Sequence, residues 1–215
     1  MNPKETIPMM SDAWQKITSL PAGGTISGIS SGAGGSSLWL CSPAGIFSNP
    51  APFSDKDSPF VHHVRGIPFS SASAVLCVGK TVLAAGYPNQ IIRSADGGRL
   101  WFDCWTDGTS APVTCFAASP NFQRNATLLA GSDGDGILRS TDGGNSWLLA
   151  NFGLRSFNIL DIAWAPAQEP SASLNAIPYH YEIVFAATDE GVYQSPNAGR
   201  AWRFAGDGLP PAPVL

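Results

Sequence analysis

The sequence predicts an all-β protein: a β-propeller of four-stranded antiparallel blades, with about four blades present as an incomplete arc of a larger ring. The first observation is a repeat. Arg139-Ser140-Thr141-Asp142-Gly143-Gly144-Asn145-Ser146-Trp147 recurs as Arg93-Ser94-Ala95-Asp96-Gly97-Gly98-Arg99-Leu100-Trp101 and, altered, as Gln194-Ser195-Pro196-Asn197-Ala198-Gly199-Arg200-Ala201-Trp202. The second is the period. Anchored on Ser48, Ser94, Ser140 and Ser195, the units stand 46, 46 and 55 residues apart, the length of a propeller blade. The third is composition. Only 13% of the 215 residues are charged and 44% are apolar, and the 23 glycines, 18 prolines and 7 tryptophans suit short strands joined by tight turns.

The shared pattern Ser-x-Asp-Gly-Gly-x-x-Trp has a physical reading. A short carboxylate accepts hydrogen bonds from nearby backbone N–H groups, and glycine supplies positive φ at no steric cost. The tryptophan a fixed distance later serves as a large apolar anchor between neighbouring units. These residues are therefore expected to be structural: Ser94, Asp96, Gly97, Gly98 and Trp101; Ser140, Asp142, Gly143, Gly144 and Trp147; and Ser195, Asn197, Gly199 and Trp202.

Taken in order, residues 1–12 read as an N-terminal tail and 13–21 as an outer strand, because Ala13-Trp14-Gln15-Lys16 resembles Ala201-Trp202-Arg203-Phe204. Blade 1 is expected over 24–66, with the hairpin Leu38–Ser42 and Gly45–Ser48, a Pro-rich loop in place of the glycine turn, and an outer strand near Phe60–Val64. Blade 2 spans 70–108, blade 3 spans 112–153 and blade 4 spans 158–210. Runs such as Val113–Ala118 and Ile159–Trp164 read as inner strands buried on both faces. Outer strands start at the tryptophans. The extra length of blade 4 falls in an insertion over 167–178, and long propeller loops often carry binding contacts. The strand at 13–21 has no blade of its own, since blade 4 already owns an outer strand. This points to an arc of a longer propeller, with a closed four-bladed ring, or assembly with a chain that supplies the missing blades, as alternatives.

The formal net charge of −4 and pI near 5.2 argue against nucleic acid as the main partner. No apolar run is long enough to span a bilayer, and the N-terminus lacks a secretory core, so a cytoplasmic protein without membrane insertion is expected. Cys41, Cys77, Cys104 and Cys115 show no metal-ligand spacing and read as buried free thiols in preference to a disulfide pair. Asn125-Ala126-Thr127 matches a glycosylation triplet by chance.

The motif and its preceding hairpin resemble the BNR/Asp-box repeats of sialidases, other propeller glycoside hydrolases, sortilin-type receptors and photosystem II assembly factors. Ala118-Ser119-Pro120-Asn121-Phe122, followed by Leu128-Leu129-Ala130-Gly131 and the Arg139–Gly144 stretch, looks most like bacterial BNR-repeat proteins. The resemblance covers roughly 13–210. It implies that the Asp boxes lie between third and fourth strands, away from any catalytic centre.

A sialidase-like centre would need three converging arginines, a Tyr–Glu pair and an Asp. Val64-Arg65-Gly66-Ile67-Pro68 comes close to the family's Arg-Ile-Pro motif, but Gly66 interrupts it and in a strand would reverse the side chain's face. Arg93, Arg99, Arg139 and Arg200 are explained by pairing at the rim or turns. Tyr179-His180-Tyr181-Glu182 holds the residue types of the pair without the constellation. For other glycosidases two facing carboxylates are needed; Asp161, interrupting an apolar inner strand, is the most notable candidate. The weak catalytic candidates are thus Asp161, Glu182 and Arg65. Ser132-Asp133-Gly134-Asp135-Gly136 reads as a hairpin turn in preference to a calcium loop, and His62 and His63 point to opposite faces. No metal or cofactor is expected. The sequence reads as a non-catalytic binding or scaffold module for a protein or glycan ligand, able to associate through unpaired blade edges. The alternative is a fragment of a sialidase-like or other propeller glycoside hydrolase.

Overall fold

The structure, a computed structural model, describes residues 25–50, 59–166 and 182–207. Blade 1 consists of β1 (Gly28–Ser31), β2 (Leu38–Ser42), β3 (Gly45–Asn49) and β4 (Val61–His63). Blade 2 consists of β5 (Ala72–Val78), β6 (Thr81–Gly86), β7 (Gln90–Ser94) and β8 (Phe102–Asp103), and is followed by a short strand, β9 (Trp105–Thr106). Blade 3 contains β10 (Val113–Ala118), a one-turn helix α1 (Phe122–Asn125), β11 (Leu128–Ser132), β12 (Ile137–Ser140) and β13 (Ser146–Leu149). Blade 4 contains β14 (Ile159–Trp164), β15 (Val184–Thr188), β16 (Gly191–Ser195) and β17 (Arg203–Phe204). Each blade is an antiparallel meander, and the first strands β1, β5, β10 and β14 succeed one another along the arc. The result is a partial, unclosed propeller. The strand expected at 13–21 and the insertion at 167–178 lie outside the described residues.

Blades 2 and 3 are each a layer between two others, so the period of two in their strands feeds two seams at once. In β6, Val82 and Ala84 pack toward blade 1 with Trp39, Cys41 and Ile46. Leu83 and Ala85 alternate with them and pack toward blade 3 with Leu128, Ala130, Leu138 and Trp147. Blade 3 repeats the arrangement, turning Leu129 and Ile137 toward Val184, Ala186 and Tyr193 of blade 4. This is why the strands read as unbroken apolar runs. Each fully buried Leu, Ile or Val contributes roughly 1.5–3 kcal/mol.

Three expectations are corrected. β14 is not buried on both faces: Leu160 is 44% exposed, because no described blade covers the far side of blade 4. Blade 3 has five strands, since β9 leaves blade 2 and pairs in parallel with β13, Trp105 opposite Ser146 and Thr106 opposite Trp147. Ser48 is not the counterpart of Ser94. Ser94, Ser140 and Ser195 pair with Val82, Leu128 and Val184, on the side facing the preceding blade. Ser48 pairs with Trp39, which faces blade 2. The residue in register with Ser94 is Asn49, opposite Leu38. One residue of slip reverses the face, and Ser48 thereby occupies the place of Arg93, Arg139 and Gln194.

Candidate functional site

In the aspartate turns, the serine and the acidic residue bind the loop backbone reciprocally. Asp142 Oδ1 accepts from Ser140 Oγ at 2.8 Å and from the N–H groups of Asn145 and Ser146, each at 3.0 Å. Ser140 Oγ in turn accepts from Gly144 N–H at 2.9 Å, and Trp147 Nε1 donates to the Gly144 carbonyl at 3.1 Å. Asp96, Ser94, Gly98 and Trp101 reproduce these bonds. The N–H groups of Leu100 and Arg99 and the Ser94 hydroxyl hold the Asp96 carboxyl below the usual carboxylate range. Burial pushes Asp142 up, yet the bonds from Ser146, Ser140 and Asn145 outweigh it and the net shift is also downward. These carboxylates are held ionised and occupied by their own loops. In blade 4, Asn197 Oδ1 accepts from Ser195 Oγ and Ala201 N–H, while Trp202 Nε1 crosses to the Ala150 carbonyl at 2.9 Å.

The two glycines of the turn have separate causes. The first, Gly97 or Gly143, sits at φ +74 or +72, and a Cβ on Gly97 would meet open space. Blade 4 places Ala198 there at φ +59. The second approaches the preceding blade closely. A Cβ on Gly98 would lie 2.5 Å from Trp39, on Gly144 2.8 Å from Leu83, and on Gly199 2.7 Å from Leu129. The second glycine is therefore retained in all three turns, while the first is replaceable.

Across each seam a side chain reaches the next turn. Arg93 Nε donates to the Gly143 carbonyl at 2.7 Å, and Arg139 Nε to the Ala198 carbonyl at 2.8 Å. In blade 1 the slipped register substitutes a pair: Ser48 Oγ lies 2.8 Å from His63 Nε2, and His63 Nδ1 lies 3.2 Å from the Gly98 carbonyl of blade 2. A carbonyl only accepts, so the neutral ring carries its proton on Nδ1 and Nε2 accepts from the Ser48 hydroxyl. The ring stacks on Trp39 at 4.9 Å. His62 turns the other way and stacks on Phe47. Ser48 also lines a cavity of about 200 Å³ between blades 1 and 2, with Ser37, Trp39 and Cys77.

The three candidate catalytic residues do not meet. Arg65 is exposed in the turn joining β4 to β5, with Gly66 at φ +75; because this is a turn, the extra glycine reverses no strand face. Asp161 is exposed on β14, its Oδ1 accepting from the Ile162 N–H at 2.8 Å. Glu182 lies two residues before β15, at the opposite end of blade 4, and is tied to blade 3. Its carboxylate accepts from Ser119 Oγ at 3.1 Å, Asn121 Nδ2 at 3.0 Å and Asn125 Nδ2 at 2.6 Å. The amide of the Asn125 triplet is thus occupied by Glu182. Tyr179, His180 and Tyr181 lie outside the described residues.

Asp135 of the acidic hairpin accepts from the Ser110 and Ala111 N–H groups, each at 2.7 Å. Among the described residues no group of three His, Cys, Asp or Glu side chains is placed to hold a metal ion, and no helix is long and apolar enough to cross a membrane. The four cysteines are free. Burial pushes the Cys41 and Cys115 thiols to about 11 and Cys104 to about 12, and an un-ionised thiol is a poor nucleophile. The seam bonds of Arg93 and Arg139 had a visible signal, an arginine preceding the turn serine in two units. The Asn121 and Asn125 clasp on Glu182 had none.

No protein-family model matches the chain, and no curated protein matches it. Solved structures do. An ancestral GH74 enzyme superposes with a TM-score of 0.63 at 16% identity, over 88% of this chain and 27% of that one. The GH74 enzyme of Niastella koreensis gives 0.63 at 15%, over 91% and 31%. YCF48 bound to D1 peptide gives 0.53 at 15%, over 85% and 69%. The likeness is one of fold. This chain spans about a third or less of the GH74 chains it resembles.

Proposed function

We propose that this propeller arc is a non-catalytic binding module of the BNR/Asp-box kind that takes a protein ligand. The observation carrying this reading is how the candidate chemistry is spent. Glu182 accepts from three donors of blade 3, the turn aspartates are bound to their own loops, and Arg65 is exposed in the turn between β4 and β5. What the surface offers instead is aromatic: Phe102, Trp105 and Phe152 are 62%, 58% and 80% exposed. Large rigid side chains of this type anchor protein interfaces. That YCF48, of like fold, is seen with a peptide bound supports the reading.

The test is binding of the purified chain to arrayed peptides and glycans, with Trp105→Ala and Phe152→Ala as variants. Peptide binding weakened at least tenfold by one of these, and unchanged in Asp161→Asn, is the expected result. Hydrolysis of aryl-glycosides abolished by Asp161→Asn would overturn it in favour of part of a glycoside hydrolase. That second reading has one observation behind it: the Asp161 carboxylate is exposed on a free blade face, where a neighbour could bring an opposing carboxylate.

A further inference from the structure

The far side of blade 4 carries the pattern of a seam with nothing described against it. Phe185, Ala187 and Val192 stand in register with Leu83, Ala85 and Ile91 of blade 2, all buried against blade 3. They correspond likewise to Leu129, Gly131 and Ile137 of blade 3, buried under blade 4. Yet Phe185 is 37% exposed, and Ala187 and Val192 are only partly covered.

The polar contacts of this side are also a variation on the other seams. Gln194 stands where Arg93 and Arg139 reach the next turn. Its Oε1 accepts from Arg203 Nε at 3.1 Å and Nη2 at 2.6 Å. Two guanidinium donors fix the amide oxygen on the arginine side, which leaves the Gln194 N–H groups to donate as the arginines do. At the start of the inner strand, Ser27 and Thr114 donate to the Ala72 and Ile159 carbonyls of the next blade; the place of Thr114 is taken by Leu160. Asp161 stands at the position of Ala74 and Cys115, which face the next blade.

The geometry points to a further blade of the same repeat as the occupant of this face. It would set an apolar side equivalent to Leu128, Ala130 and Leu138 against Phe185, Ala187 and Val192. The carbonyl of the first glycine of its turn would accept from Gln194, and its inner strand would bring a hydrogen-bond donor or a cation to Asp161. Continuity with three existing seams carries this assignment, and Asp161 is what sets the fourth apart: a carboxylate closed into a seam needs a partner.

The test appends a copy of residues 112–153 after Leu215 of the full chain. A docked copy is expected to slow hydrogen exchange of the β15 and β16 amides by about tenfold or more and to raise the thermal midpoint by about 4 °C or more. The copy has no donor for the carboxylate, so Asp161→Ala should raise the midpoint further in the fusion and leave the unfused chain unchanged. Phe185→Asp should abolish the protection. Because one copy can fail to fold, a second fusion carries residues 70–108. Absence of protection from both overturns the proposal. So does an unfused chain that light scattering finds dimeric and that Phe185→Asp makes monomeric, since a second copy would then be the occupant.

Discussion

The Nε of Arg139 donates to the carbonyl of Ala198 across the seam between blades 3 and 4, at 2.8 Å. Removing a charged donor from a half-buried carbonyl costs about 1.5–3 kcal/mol, so Arg139→Ala is expected to lower stability by that amount in urea denaturation. Arg139→Gln should retain part of it, since Gln194 occupies the same position in blade 4. A loss under ~0.5 kcal/mol for Arg139→Ala would show that the apolar seam alone sets the blade spacing.

The two glycines of each turn should respond unequally. Gly97→Ala meets no neighbour and is expected to cost only the left-handed strain, about 1–2 kcal/mol. Gly144→Ala adds a clash with Leu83, and overpacking brings the expected loss to about 2–4 kcal/mol. Ala198→Gly should stabilise the protein by up to about 1 kcal/mol. Chemical denaturation of the three variants checks the order, and equal losses at Gly97 and Gly144 would contradict it.

Much of this was legible because it repeats. The period, the serine–aspartate turn and the seam tryptophans recur at fixed spacing, and local hydrogen bonds over two to four residues fix the turns together with Trp101 and Trp147. Three features escaped. Ser48 opens a serine-bearing hairpin like the others, and the one-residue slip that turns it to the opposite face shows only once Trp39 is seen opposite it. β9 is a short segment whose parallel partner lies about forty residues ahead, and no local pattern announces such a pairing. The Glu182 clasp likewise joins groups 57–63 residues apart.

Two carboxylates separate a structural clasp from a general loss of charge. Glu182→Gln swaps one acceptor oxygen for an amide that faces donors, and about 1–3 kcal/mol of stability is expected to go. Asp161→Asn makes the same chemical change on an exposed strand and should stay within about 0.5 kcal/mol of the parent. Thermal or urea unfolding compares them; similar values for both would argue that Glu182 is not holding blades 3 and 4 together.

Burial holds the His63 imidazole below its ordinary 6.5, outweighing the bond to the Gly98 carbonyl, which favours the charged ring, and nearby His62 adds to the lowering. The unfolded chain therefore takes up a proton before the folded one does. Stability from this group is full above about pH 6.5 and falls as the pH drops through that value toward the lower folded pKa. Urea midpoints at pH 7.5 and 5.5 should differ, and His63→Gln should flatten the difference. An unchanged slope in the variant would move the pH dependence elsewhere.

The strand β9 gives the arc an uneven resistance to pulling. Among the described residues, blades 1 and 2 are joined across their seam through side chains alone, whereas the Trp202 N–H of blade 4 bonds to the Phe152 carbonyl just beyond β13 of blade 3. Blades 2 and 3 share a sheet, with Trp105 N–H bonded to the Asn145 carbonyl and Asp107 N–H to the Trp147 carbonyl. Under tension applied at its two ends, the chain should part first at the seam between blades 1 and 2 and release blades 2, 3 and 4 as a single block. Its mechanical unit is the stitched trio of blades 2 to 4, which the regular sequence repeat does not reveal.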